Sequence, residues 1–81
     1  MNIYVGNMSP KTTEWQLRRE FDRYGKVGKI SMDKHSNDEN AYSSCFVEMP
    51  FDTQATVAIR ELNGKILSGF TLNIKESGVS L

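Results

Sequence analysis

The sequence lacks an excess of charge of either sign. Its 81 residues include ten lysines and arginines and ten aspartates and glutamates, so the formal net charge is zero. A protein that binds nucleic acid mainly by neutralising phosphates is usually basic. The charge balance therefore counts against a purely electrostatic nucleic-acid binder, and any such function would have to rest on other contacts.

Cysteine and histidine are also scarce. Cys45 is the single cysteine, so an intrachain disulfide and the Cys-x-x-Cys pair of metal-carrier domains are both excluded. His35 lies in the polar stretch 34–41, where a histidine is more often solvated than a metal ligand. No nucleophile and base form a recognisable pair. We therefore expect no enzymatic activity, no metal and no cofactor.

Long apolar runs are absent too. None approaches the roughly 20 residues that a membrane-spanning helix needs, so we expect no membrane association. A strand pattern begins at residue 2, which leaves no room for a signal peptide, and we expect a cytoplasmic protein. With 38% hydrophobic and 25% charged residues, the chain has the composition of one small globular domain, which we expect to be monomeric.

Two stretches of the chain alternate between aliphatic and aromatic side chains. In the first, residues 3–8, two β-branched residues share one strand face and Tyr4 points to the other. Gly6-Asn7 is predicted to end this strand as a turn. In the second, residues 42–49, the positions 45, 47 and 49 share one face. Because one register buries the aliphatic side of both strands, we expect Tyr4, Tyr42 and Phe46 on an exposed sheet face.

Two amphipathic helices separate the predicted strands. The first should run from about Glu14 to about Tyr24, with Thr13 as N-cap and Gln16 completing a capping box. The second should begin at Asp52 or Thr53, which would cap it, and end near Leu62. Their apolar stripes are Leu17, Phe21 and Tyr24 in the first helix, and Ala55, Ala58, Ile59 and Leu62 in the second. Gly25 and Asn63-Gly64 are the predicted stops.

Two further strands complete the pattern, at residues 27–33 and 70–75. The resulting β-α-β-β-α-β order predicts an α+β ferredoxin-like sandwich, an antiparallel sheet with two helices on one face. The other sheet face would stay open to solvent. We expect a single domain over residues 1–76 and a short flexible tail over residues 77–81.

With these motifs in this order, the chain resembles the RNA recognition motif (RRM) family, and in particular its small free-standing bacterial members. Residues 3–8 resemble the family's six-residue RNP motif, and residues 42–49 resemble its eight-residue motif in degenerate form. The helix patterns at residues 13–25 and 59–64 are similar as well. The eight-residue motif usually reads Lys/Arg-Gly-Phe/Tyr-Gly/Ala-Phe-Val-x-Phe/Tyr. Here Tyr42 replaces the cation, and Ser44 replaces the first aromatic residue.

The resemblance implies a module that binds single-stranded RNA by stacking bases on the sheet. It places Tyr4 and Phe46 at two stacking positions, while the third, at Ser44, is lost. Tyr42 either stacks in its place or only covers the edge of the sheet. Single-stranded DNA is an alternative ligand. The candidate binding residues are Tyr4, Phe46, Tyr42, Ser44, Asn2, Lys29, Ser31, Thr71, Asn73 and Lys75.

Other functions are also compatible with this fold. A protein-interaction domain is favoured by the neutral charge and by the degenerate eight-residue motif. Trp15 stands outside the buried stripe of the first helix, against Arg18 or Arg19 or partly exposed, and if exposed it could form an apolar patch with Val57. Acylphosphatases share the layout, but they need an arginine in the loop after the first strand, and residues 6–10 lack one. The cations between residues 11 and 29 form either a phosphate-binding patch or a solvated face with Glu14–Arg18 and Asp22–Lys26 ion pairs.

Overall fold

The computed structural model describes residues 1–34 and 43–78, and it has the predicted β-α-β-β-α-β order with one added hairpin. The helices are α1 (Glu14–Asp22) and α2 (Asp52–Leu62). The strands are β1 (Asn2–Met8), β2 (Ile30–Lys34), β3 (Ser43–Glu48), β4 (Ile66–Leu67), β5 (Phe70–Thr71) and β6 (Asn73–Ser77). The predicted α+β ferredoxin-like class is confirmed.

Four of these strands form one antiparallel sheet in the order β2-β3-β1-β6. The aliphatic side of each strand is buried in a single core, to which both helices contribute. The sheet contributes buried side chains from its central and edge strands: Ile3, Val5, Cys45, Val47 and Ile74. The helices contribute Leu17, Phe21, Ala55, Ala58 and Leu62. The side of the sheet opposite the helices is called the open face below.

The start of α1 is the predicted capping box. The Thr13 hydroxyl accepts a hydrogen bond from the Gln16 backbone N–H at 3.2 Å, and the Gln16 side chain accepts one from the Thr13 N–H at 2.9 Å. The two bonds satisfy backbone donors that the helix itself cannot satisfy. The helix ends at Asp22, so Tyr24 lies beyond it, half-buried against the core.

The start of α2 differs from the prediction. Phe51 occupies the N-cap position without a side-chain hydrogen bond, so capping by Asp52 or Thr53 is wrong. The Asp52 carboxylate instead lies 3.6 Å from the N-terminal ammonium group of Met1. A carboxylate in the first turn still favours the positive end of the helix dipole.

The first strand does not end in a turn at Gly6-Asn7, and that prediction is wrong. Val5 is opposite Cys45 while Met8 is opposite Ser43, so two residues of β1 face one residue of β3 in a β-bulge. Asn7 adopts the left-handed region at φ 57°. Strict alternation would have turned residue 7 towards the core with residues 3 and 5. The bulge skips a residue, so Met8 is buried instead and Asn7 is exposed.

The predicted strand 70–75 is two strands. β5 pairs with β4 in a small hairpin, and its two-residue turn has positive φ at both Ser68 and Gly69. β6 then pairs with β1 as far as Ser77, which is opposite Asn2. Residues 79–81 lie outside the described residues, so the flexible tail stays a prediction. β2 likewise begins at Ile30 instead of residue 27.

The two predicted ion pairs of α1 are not present between these described residues. Arg18 instead donates hydrogen bonds to the backbone carbonyls of Val27 and Gly28, at 3.4 and 2.9 Å. Carbonyls in a segment without regular secondary structure need such donors. The Arg18 guanidinium therefore ties α1 to the entry of β2, and Glu14 is not its partner.

Candidate nucleic-acid interface

The centre of the open face is a row of four side chains, one from each strand of the main sheet. Tyr4 is opposite Phe46 on one side and Lys75 on the other, and Ser31 is opposite Phe46. Residues that are directly opposite in an antiparallel pair point to the same face. The row therefore brings two aromatic rings, one cation and one hydroxyl together across the sheet.

The two rings of this row contact each other edge to face. The Tyr4 and Phe46 ring centroids are 5.7 Å apart at an interplanar angle of 61°. Lys75 Nζ lies 5.5 Å from the Tyr4 ring centroid, within cation–π range. Both rings are only partly buried. Tyr4 and Phe46 thus stand on the open face, where the alternation of the sequence places them.

Neighbouring positions of the open face are polar and carry both signs of charge. A second row consists of Ser77, Asn2 and Glu48, and the Lys29 carbonyl extends it by accepting a hydrogen bond from the Glu48 N–H at 2.8 Å. The exposed positions include the candidate residues Lys29, Asn73 and Lys75 and also Asp33. Among the described residues, two cations (Lys29 and Lys75) and two carboxylates (Asp33 and Glu48) balance each other on this face.

Three of the predicted site residues do not join this arrangement as expected. Ser44 is only 7% exposed, although it is opposite the exposed Asp33 and lies two residues before Phe46 on the same strand. Thr71 belongs to the β4–β5 hairpin and not to the main sheet, and its carbonyl accepts a hydrogen bond from the Asn7 side chain at 2.7 Å. Tyr42 lies outside the described residues.

The sequence analysis missed Gly6, which belongs to the same face. Gly6 lies in β1, where it is buried and opposite Asn73 of β6. The hydroxyl end of the Tyr4 ring lies above it. A glycine within a strand pattern is a known sign of a bulge or of a close approach by another group. That signal was present in residues 3–8, but the neighbouring asparagine favoured a turn.

The buried thiol of Cys45 is not part of this surface. Burial, with a smaller contribution from the negative charge of Glu14, raises the pKa of Cys45 to about 12. A thiol that stays protonated at neutral pH is a poor nucleophile.

The described residues contain no group of three or more potential metal ligands among His, Cys, Asp and Glu. In the same residues no helix is both long and apolar enough to cross a bilayer.

A second notable surface lies on α1, away from the open face. Trp15 is 66% exposed, and the Arg19 guanidinium carbon lies 5.5 Å from its ring centroid. Of the two contacts considered from the sequence, Arg19 is therefore the one present. A shallow groove beside the ring extends to Leu67 of the hairpin.

The four-stranded antiparallel sheet, its two helices and the aromatic row define an RRM-type module. The chain belongs to the RNA recognition motif family, whose pattern matches residues 3–73. A protein of Nostoc sp. that is provisionally named RNA-binding protein RbpD is 35% identical over 77 residues, which cover 95% of this chain and 82% of the relative.

Solved structures agree with this assignment. The crystal structure of RNA Binding Protein PG1 is 32% identical, with a TM-score of 0.82 over 100% of this chain and 98% of that chain. The RRM of Rna15 with bound RNA (GU) has a TM-score of 0.80 at 24% identity, over 96% of this chain and 83% of that chain. At that level of identity the likeness concerns the fold alone.

Proposed function

We propose that this protein binds single-stranded RNA and stacks one base on Tyr4 and one on Phe46. The observation that carries the proposal is the pair of aromatic rings on the two central strands, on the sheet face opposite both described helices. Aromatic side chains on such a face stack unpaired bases, each worth roughly 1–3 kcal/mol. Membership of the RRM family and the name of the Nostoc relative support the same assignment.

Stacking must contribute more than charge to this binding. The open face carries Lys29 and Lys75 against Asp33 and Glu48, and the whole chain has no net charge. Few condensed counterions would therefore be released when RNA binds. We expect a modest affinity with a shallow dependence on salt.

Polar groups around the rings would then read base edges or hold the backbone. Ser31 stands beside Phe46 in the central row, and Asn2 and Asn73 flank Tyr4 along and across the sheet. Lys29 and Lys75 supply the cations for phosphates. Thr71 and Ser44 are left out of the proposed site, since one lies in the hairpin and the other is buried.

A backbone amide NMR titration with a pool of short random single-stranded RNA tests the proposal. Shifts that cluster at Tyr4, Phe46 and Asn73 and persist from low to moderate salt are the expected result. Shifts confined to residues 18–29 that vanish with salt would contradict it, as would no shifts at all. Parallel titrations with single-stranded DNA and with an RNA duplex determine which form of nucleic acid is preferred.

The same proposal makes the protein a binding module and not an enzyme, and we propose that it acts as a monomer in the cytoplasm. Light scattering of the free protein and of its RNA complex gives the oligomeric state directly. Fluorescence microscopy of a tagged chain gives the location. A dimer, or a location outside the cytoplasm, would contradict these parts of the proposal without affecting RNA binding.

A second candidate function is protein binding through the surface around Trp15. The favouring observation is the 66% exposure of this indole, because large exposed aromatic residues often mark contact sites. Affinity capture with the wild type and with Trp15→Ala, after ribonuclease treatment, tests it. A partner that the wild type retains and the variant loses is expected, whereas equal retention would refute a role for Trp15.

A further inference from the structure

Gly6 occupies a position at which the backbone itself does not require glycine. It lies within β1, opposite Asn73. The glycines with positive φ among the described residues are Gly25, Gly64 and Gly69, and the positive φ of the bulge falls on Asn7. An L-residue could therefore adopt the backbone conformation of Gly6. The reason for glycine has to lie in the space above it.

That space is filled by the ring of Tyr4. A Cβ atom built on Gly6 would lie 2.6 Å from the Tyr4 hydroxyl oxygen, 2.7 Å from Cε2 and 2.9 Å from Cζ. Carbon atoms do not approach this closely without a bond between them. All three atoms belong to the far end of one side chain. A methyl group on residue 6 would therefore displace the Tyr4 ring and leave the backbone where it is.

The ring is also held on other sides. Phe46 contacts it edge to face at 5.7 Å between centroids, and Lys75 Nζ lies 5.5 Å from its centroid. Tyr4 thus has a defined pose in the free protein, set by its own strand below and by both neighbouring strands beside it. A side chain that is ordered before binding loses less conformational entropy when the ligand arrives.

We infer that Gly6 is a positioning residue for RNA binding, and that its missing side chain lets the Tyr4 ring lie in the pose on which a base stacks. The inference rests on the proposed function, since it concerns the same site. Gly6 would contact no RNA base itself and would act only through Tyr4. This role predicts that substitutions at positions 4 and 6 are not additive.

A double-mutant cycle tests this dependence. The affinities of the wild type, Gly6→Ala, Tyr4→Ala and the double variant are measured by fluorescence anisotropy with a labelled pool of random-sequence single-stranded RNA nonamers. We expect Tyr4→Ala to weaken binding at least roughly fivefold and Gly6→Ala to weaken it by a similar factor. In the Tyr4→Ala background, Gly6→Ala should have no further effect.

Gly78→Ala serves as the matched control variant. A Cβ atom at Gly78 would meet nothing within 4 Å, and its φ lies outside the left-handed region. The change in composition is identical to that of Gly6→Ala, but no ring is displaced. Gly78→Ala should therefore bind the RNA pool with wild-type affinity. Thermal unfolding followed by circular dichroism shows whether each variant is folded.

A measurement without RNA tests the pose directly. An aromatic ring perturbs the chemical shifts of protons close to it, so the Hα resonances of Gly6 should shift between the wild type and Tyr4→Ala. Nuclear Overhauser contacts between these protons and the Tyr4 ring should accompany the shift. Absence of both would overturn the inference even if Gly6→Ala failed to fold.

The outcomes separate the inference from the proposed function. If the wild type does not bind the RNA pool, the proposed function fails. If Tyr4→Ala weakens binding and Gly6→Ala does not, only the inference fails. If Gly6→Ala weakens binding by the same factor with and without the Tyr4 ring, its effect is a general structural one, and the inference is again overturned.

Discussion

Replacing Phe46 by alanine should weaken RNA binding without unfolding the protein. Phe46 is partly exposed on the open face, so removing its ring leaves no cavity in the core. The variant loses only the surface on which a base would stack. The loss of one stacked base costs roughly 1–3 kcal/mol. At about 1.4 kcal/mol for each factor of ten, the dissociation constant should rise roughly 5- to 150-fold.

The same change should have a smaller effect on folding. The Phe46 ring contacts Tyr4 edge to face at 5.7 Å between centroids, and such a pair contributes about 0.5–1.5 kcal/mol beyond the area it buries. The free energy of unfolding should fall by at least that amount, because the half-buried ring also loses the apolar contact area that it buries. Urea denaturation of the wild type and of Phe46→Ala measures this loss separately from the loss of RNA affinity.

Phe51→Ala is the matched control for this prediction. Phe51 is also a phenylalanine and is 54% exposed, but it occupies the N-cap position of α2, away from the open face. Anisotropy titrations with the same RNA pool should give Phe51→Ala an affinity within about twofold of the wild type, since it removes no stacking partner. Equal losses for the two phenylalanine variants would refute the reasoning that the open face binds RNA.

Salt dependence provides a second check on the wild type and on Phe46→Ala. For single strands, log K falls with log salt by about 0.7 for each phosphate neutralised. With Lys29 and Lys75 as the cations of the open face, the slope should be no steeper than about −1.4. Phe46→Ala should keep the wild-type slope because it removes no charge. A much steeper slope would show that electrostatics dominates.

Three further changes probe other parts of the structure. Lys75→Met should make the salt slope shallower by about 0.7, and an unchanged slope in the same titrations would exclude a phosphate contact at Lys75. Thr13→Ala removes the N-cap hydroxyl that accepts a hydrogen bond from the Gln16 N–H. It should lower the free energy of unfolding by about 0.5–2 kcal/mol and leave the RNA affinity unchanged. An unchanged urea midpoint would show that the cap does not stabilise α1. The pKa of Cys45 is raised to about 12, so native protein at pH 8 should not react with a thiol-specific disulfide reagent, whereas urea-unfolded protein should. The folded state favours the neutral thiol, so the free energy of unfolding depends on pH. The contribution of Cys45 to this free energy is complete below the pKa of the unfolded thiol, near 9, and is lost as the pH rises towards about 12. Urea midpoints that did not fall across this pH range would contradict the sign of the shift.

The parts of the fold that follow from local periodicity could be predicted from the sequence. Alternation in residues 3–5 and 45–49 placed Tyr4 and Phe46 on one face because a single register buries every aliphatic neighbour. The capping box of α1 could also be predicted, because the side chains of Thr13 and Gln16 accept hydrogen bonds from each other's backbone N–H within one helical turn. Such features depend on residues that are close in the chain.

The features that were missed depend on contacts between distant residues. The β4–β5 hairpin has strands of only two residues, too short to show a period. The bulge at Gly6-Asn7 is fixed by pairing with β3 and by the hydrogen bond from Asn7 to Thr71. Ser44 has the expected strand direction, but its burial depends on its neighbours across the sheet. Gly6 gives a local sign of the bulge, but no local pattern indicates the hairpin or the burial of Ser44.

The spacing of the central row limits the conformation of any RNA that uses both rings. Tyr4 and Phe46 lie on neighbouring strands with their centroids 5.7 Å apart, whereas consecutive bases along one strand of a B-form duplex rise by only about 3.4 Å. Two bases cannot rest on these rings and also remain stacked on each other as in a helix. On the proposed binding mode, RNA would therefore have to give up its own base stacking at this site, and unpaired, already unstacked segments would be favoured.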